Sequence, residues 1–129
     1  MRRQLLPFLL VGGSAAATHY LTVVALVQAL SVPPLHANVL GFLCAFGVSY
    51  GGHRRWTFAA QDLAHQQTLP RFFIVAVTSF LLNQALFAFM LRHVPALPYT
   101  VSLALVLIVV AALTFTSAKL WAFTRRGQA

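Results

Sequence analysis

The stretch Pro7–Leu30, PFLLVGGSAAATHYLTVVALVQAL, decides the fold class. It carries no charged side chain, and it outruns the ~20 apolar residues that a helix needs to cross a hydrocarbon core. Its beginning imitates a secretory leader. Arg2 and Arg3 precede the apolar run Leu5–Val11, and Ser14–Ala17 offer small residues of the kind found at cleavage sites. A leader would stop there, but this run continues through Tyr20, Leu21 and Thr22 to Leu30. The reading is a retained membrane helix.

Three more blocks of the same character follow, at about 35–52, 72–91 and 98–120. Lipid cannot satisfy backbone polar groups, so in so short a chain each block must be helical. Ser31–Pro34 and Arg92–Pro98 are short and proline-punctuated, which predicts tight helical hairpins. The connection from His53 to Arg71 is longer and polar. The expected fold is an all-α membrane protein of four transmembrane helices forming one domain over 1–129.

Composition agrees. Of 129 residues, 60% are hydrophobic and 8% charged, against about 25% charged in a soluble domain. The net charge is +8, with Asp62 the single acid. Such a balance on a soluble chain suggests nucleic acid. Here the basic residues sit at the ends of apolar blocks, where membrane topology and anionic lipid explain them, and no nucleic-acid partner is expected. Arg2, Arg3, Arg54, Arg55, Arg71, Lys119, Arg125 and Arg126 fall on one side of the four spans, and Arg92 on the other. Both termini and the middle connection are therefore expected to be cytoplasmic.

The chain also repeats itself. Arg54-Arg55-Trp56-Thr57-Phe58 closes the second block, and Lys119-Leu120-Trp121-Ala122-Phe123 closes the fourth. At the same spacing Pro33 falls on Pro98 and Ser49 on Thr114, while His19 falls opposite Asn83 at a spacing one residue shorter. A two-helix unit returns to its starting side, so its copy keeps the same orientation. Two parallel two-helix repeats are the expected architecture.

No enzyme constellation is present. There is no carboxylate pair, and His19, His36, His53, His65 and His93 lack metal-ligand spacing. An enzyme, a metal and a cofactor are not expected. Cys44 is the single cysteine, which excludes an intrachain disulfide. Ala37, Gly41, Ala45 and Ser49 make a small-residue stripe on the second helix, as Gly12 and Ala16 do on the first. Such stripes let helices approach closely, and the stripe on the second helix offers a face for a homo-oligomer, a dimer above all.

His19 lies near the middle of its block, and a polar group at that depth is a functional candidate. Its plain alternative is a neutral histidine bonded to a neighbour such as Asn83 or Gln84. Asn38, near the start of the second block, serves as a cap or as a bridge between helices. With Thr18, Ser49, Thr78, Ser79, Asn83, Gln84, Thr114, Thr116 and Ser117, these residues are candidates for a polar seam. Trp56 and Trp121 belong to an interfacial aromatic belt, or else present flat faces to a sugar beside Arg54 and Lys119. Arg54, Arg55 and Lys119 are the candidate phosphate ligands, since the arginine fork grips phosphate oxygens in two places.

The sequence resembles the GtrA-like family of small four-helix membrane proteins. The carriers are Phe8-Leu9-Leu10-Val11-Gly12-Gly13 opening the first helix and Arg54-Arg55-Trp56-Thr57-Phe58 closing the second. Arg71-Phe72 opens the third, and Trp121-Ala122-Phe123 closes the fourth. The resemblance implies a bacterial cytoplasmic (inner) membrane location and a role as flippase for polyprenyl-phosphate-linked sugars used in polysaccharide biosynthesis at the cell surface. Members often have an acid about where His19 stands, and asparagines where Ser49 and His53 stand. Two other readings stand beside it. One is a non-transporting subunit that assists a membrane glycosyltransferase. The other is a small multidrug-type exporter, a class that relies on an acid in the first helix that this chain lacks.

Overall fold

In a computed structural model the protein is described over residues 2–57, 65–117 and 120. Four helices account for nearly all of it: α1 (Arg2–Leu30), α2 (Pro34–Gly52), α3 (His65–His93) and α4 (Tyr99–Ser117). A π-helical turn, His53–Thr57, follows α2 directly. There is no strand among the described residues.

The long helices start earlier than the apolar blocks do. α1 begins at Arg2 rather than near Pro7, and α3 begins at His65 rather than near Phe72. Pro7 and Pro70 therefore lie inside their helices, each at the sixth residue, instead of marking a start. A proline there frees only one carbonyl of the preceding turn, so the helix passes through it. α4 begins at Tyr99, and Pro98 caps it by accepting from the backbone N–H groups of Val101 and Ser102 at 3.0 and 3.1 Å.

Leu6–Leu30 of α1 and Leu69–His93 of α3 have the length and apolarity of membrane spans, with mean hydropathies of 1.5 and 2.0. α2 and α4 have 19 residues each, which at 1.5 Å per residue reaches ~28 Å, close to the ~30 Å of a hydrocarbon core. The outer surface is apolar: Leu10, Leu21, Leu43, Ile74, Leu81 and Ile108 are all exposed. A water-soluble protein does not leave such a belt uncovered, whereas lipid is its natural solvent.

The helices neighbour one another in the order α1, α2, α3, α4 and back to α1. α1 and α2 are in closest contact, and α1 and α4 touch least. Gly41 explains the first seam. A Cβ there would lie 2.8 Å from the His19 ring and 2.9 Å from its backbone oxygen. Only glycine allows that approach. The stripe of Ala37, Gly41 and Ala45 is accordingly buried inside the chain, so it is not the outward face on which the expectation of a homo-oligomer rested.

The two ends of the bundle differ. At the end bearing the hairpin connections, Val23, Ala37, Phe87 and Leu103 form one core, with one residue from each helix. The first connection is short because Ser31 adopts a left-handed φ of 54° and the Val32 N–H donates to the Leu26 carbonyl at 3.1 Å. The second hairpin is tied to the first by the Gln28 amide, which donates to the Tyr99 hydroxyl at 3.3 Å. At the other end Phe72 and Val75 form a smaller cluster packed against Phe46 and Tyr50, while Val11, Ala15 and Val110 are buried outside it.

Candidate functional site

A partly open cavity of about 140 Å³ occupies the middle of the second, looser end. That is ample for water, which needs ~10–15 Å³ of such space. It extends from His19 and Asn83 at mid-bundle toward Phe8, Ser49, Phe72 and Thr114 near the far ends of the helices. Its walls are mostly apolar. On the α2–α3 side aromatic rings close the seam. Phe42 stacks on Phe80 with centroids 4.5 Å apart, and Phe46 meets Phe72 at 5.7 Å. On the α1–α4 side the lining is small: Gly12, Ala15 and Ala16 face Val110 and Ala111. Ala111 is exposed, and the cavity it lines is partly open.

The inner limit of the cavity is polar. His19 and Asn83 line it, while Asn38 lies behind them, fully buried. The His19 Nε2 and Asn38 Oδ1 are 2.6 Å apart. The Asn38 amide donates to Asn83 Oδ1 and to Gln84 Oε1, both at 2.7 Å. Gln84 in turn donates to the Leu35 carbonyl at 3.0 Å. Asn38 is thus a bridge joining α1, α2 and α3, and not a helix cap. An unpaired amide at this depth would be costly, and this arrangement satisfies it from three sides.

The remaining candidates for the polar seam divide. Ser49, Ser79 and Thr114 line the cavity, the Thr114 hydroxyl also donating to the Val110 carbonyl one turn back at 2.9 Å. Thr18 and Thr78 do not; their hydroxyls donate to the carbonyls of Ser14 and Ile74 one turn back, at 2.8 Å each, and Thr116 does the same to Ala112 at 3.1 Å. That local bond lets a threonine face lipid without an unmet donor. Ser117 is helical, at the end of α4.

Arg54, Arg55 and Trp56 sit on the π turn just beyond α2. Arg54 is half-buried and Arg55 exposed. None of the three lines the cavity. Trp56 instead borders a separate apolar groove on the outer flank of α1 and α2, with Leu6, Leu10 and Val48. π turns are uncommon and recur at functional sites. Lys119 and Trp121 lie outside the described residues. Among the described residues no three His, Cys, Asp or Glu side chains converge as metal ligands would.

Sequence reasoning did not single out the aromatic wall. Its signal was available in the four-residue spacing of Phe42 and Phe46 on α2 and the eight-residue spacing of Phe72 and Phe80 on α3. Each spacing puts a pair on one helix face.

No curated protein and no solved structure matches the chain. The family model described as GtrA/DPMS, transmembrane domain, matches residues 7–123. With its apolar helices and its polar-ended internal cavity, the chain belongs to the GtrA/DPMS transmembrane-domain family, a membrane family involved in lipid-linked sugar translocation or glycosylation.

Proposed function

We propose that this protein is a flippase that carries polyprenyl-phosphate-linked monosaccharides across the bacterial cytoplasmic membrane, to supply glycosylation of surface polysaccharides. The observation that carries the reading is a cavity with a hydrogen-bonding inner end inside a bundle whose exterior is apolar. Moving a sugar through lipid strips each hydroxyl of water at a cost of about 4–8 kcal/mol where nothing replaces the bond. His19, Asn83, Ser49, Ser79 and Thr114 offer replacements along one path. Small side chains on the α1–α4 side of a partly open cavity let the polyprenyl tail remain in lipid while the headgroup travels inside.

Arg54, Arg55 and Lys119 receive the phosphate at the cytoplasmic rim, and Trp56 and Trp121 act in the interfacial belt beside them. The basic bias of the sequence supports a cytoplasmic placement of the looser end. Described helix lengths of 29, 19, 29 and 19 residues support two parallel repeats. No acid lies in the described spans, so downhill transfer is the simplest scheme. A membrane glycosyltransferase is the natural partner, supplying or consuming the sugar. Self-association, as a dimer above all, proceeds on an outer face other than the α2 stripe.

The experiment is reconstitution. Proteoliposomes containing polyprenyl-phosphate-linked hexose are treated with membrane-impermeant periodate, which oxidises only outward-facing sugar. The protein should raise the oxidised fraction beyond the outer leaflet's share. An oxidised fraction equal to that of protein-free vesicles, for every hexose tried, would refute the proposal.

A further inference from the structure

The four-residue network at the inner end of the cavity has a direction that a single backbone group fixes. The Leu35 carbonyl can only accept, so the Gln84 side chain must turn its amide nitrogen to it. Gln84 then presents Oε1 to Asn38, and Asn38 must answer with Nδ2. The two hydrogens of that nitrogen go to Gln84 Oε1 and Asn83 Oδ1. Asn38 Oδ1 is left facing His19, whose Nε2 must donate. A neutral imidazole has one N–H, so Nδ1 carries a lone pair. Asn83, having used its oxygen, keeps both amide hydrogens. The Nδ1 of His19 and the Nδ2 of Asn83 have no partner among the described residues, and both side chains line the cavity.

We propose that this end of the cavity is a hydroxyl-reading subsite, with His19 Nδ1 as acceptor and Asn83 Nδ2 as donor, and that Gln84 is the positioning residue that sets this polarity from outside the cavity. The ligand class is a polyhydroxylated ring. A hydroxyl both donates and accepts, so the hydroxyls of such a ring can serve both groups. An ether or ester supplies acceptors alone and satisfies only Asn83. The inference rests on the cavity being the path of the sugar, and adds which groups read it and what orients them.

The test is nitrogen NMR of the full chain in lipid nanodiscs, with labelled histidine. The His19 resonances should show a protonated Nε2 and a lone-pair Nδ1. Octyl glucoside, galactoside and mannoside, added below micelle-forming concentrations, should include at least one that shifts Nδ1 saturably. The same glycoside with every hydroxyl methylated should not. Gln84→Leu removes the anchor and frees the Asn38 amide to turn over, so the His19 tautomer should become mixed or reversed. Glycoside affinity should then fall about tenfold, as expected for the loss of roughly one well-placed hydrogen bond. Asn83→Leu should weaken binding to a similar degree and leave the tautomer unchanged. The proposal is overturned if Nδ1 carries the proton in the wild type, if no glycoside moves it, if the methylated glycoside acts equally, or if Gln84→Leu alters neither tautomer nor affinity. None of these readouts requires transport. Glycoside response without transfer in proteoliposomes refutes the flippase reading alone, and transfer without a response at His19 refutes this inference alone.

Discussion

The two ends of the bundle are made of the same residue types and do opposite things with them. At the hairpin end all four helices contribute to one core, and Val23, Ala37, Phe87 and Leu103 are fully buried. At the end bearing the π turn, phenylalanines pair across α2 and α3, and a cavity remains beside them. Between the two lies the network of His19, Asn38, Asn83 and Gln84. The contrast teaches that apolar content does not decide where a membrane bundle closes. Side-chain size at facing positions does, and the polar network marks the level at which closure begins.

The largest effect should separate two phenylalanines. Phe87→Ala at the hairpin end should cost about 3–5 kcal/mol, the usual range for an emptied aromatic site in a core. Phe80→Ala should cost about 1 kcal/mol, roughly the worth of its stacking on Phe42. Reversible unfolding in mixed micelles measures both. Equal losses would erase the distinction between the ends.

A second comparison sharpens the α1–α2 seam. Gly41→Ala places a Cβ against the His19 ring and backbone, and should cost about 1–3 kcal/mol as overpacking does. Gly47→Ala, whose Cβ would meet nothing within 4 Å, should stabilise by about 0.5–1 kcal/mol through helix propensity. The same unfolding assay decides. A harmless alanine at 41 would mean that the helices are not held this close.

The smallest effect concerns a flaw in the tight end. Ser102 is fully buried in the first turn of α4, and its hydroxyl has no partner among the described residues. Ser102→Ala should raise stability by about 1 kcal/mol, the low end of the cost of an unmet buried hydroxyl. A loss on substitution would reveal a partner for that hydroxyl.

The sequence made the four helices and their short hairpin connections legible, because an apolar run in lipid has one solution and Ser31–Pro34 leaves no room for another. It also pointed to His19, Asn38 and Asn83, since a polar side chain at that depth demands a partner. It did not reveal who partners whom. His19 bonds to Asn38 rather than to Asn83 or Gln84 directly, and that depends on how far α1 and α2 slide past each other. Nor did it show that the threonines at 18, 78 and 116 satisfy themselves within their own helices. Composition shows that a helix carries a hydroxyl, but only helix rotation determines whether that hydroxyl faces a cavity or lipid.

The central claim is that the cavity is the passage for the sugar, and filling it tests that claim most directly. Ala16 lines the cavity from α1 and is half-buried. Ala16→Phe should occupy the space while the hairpin-end core keeps the protein folded. In the periodate assay, with folded yield and unfolding midpoint matched to wild type, transfer of the lipid-linked hexose should fall to the protein-free background. Wild-type transfer by the folded Ala16→Phe variant would contradict the account.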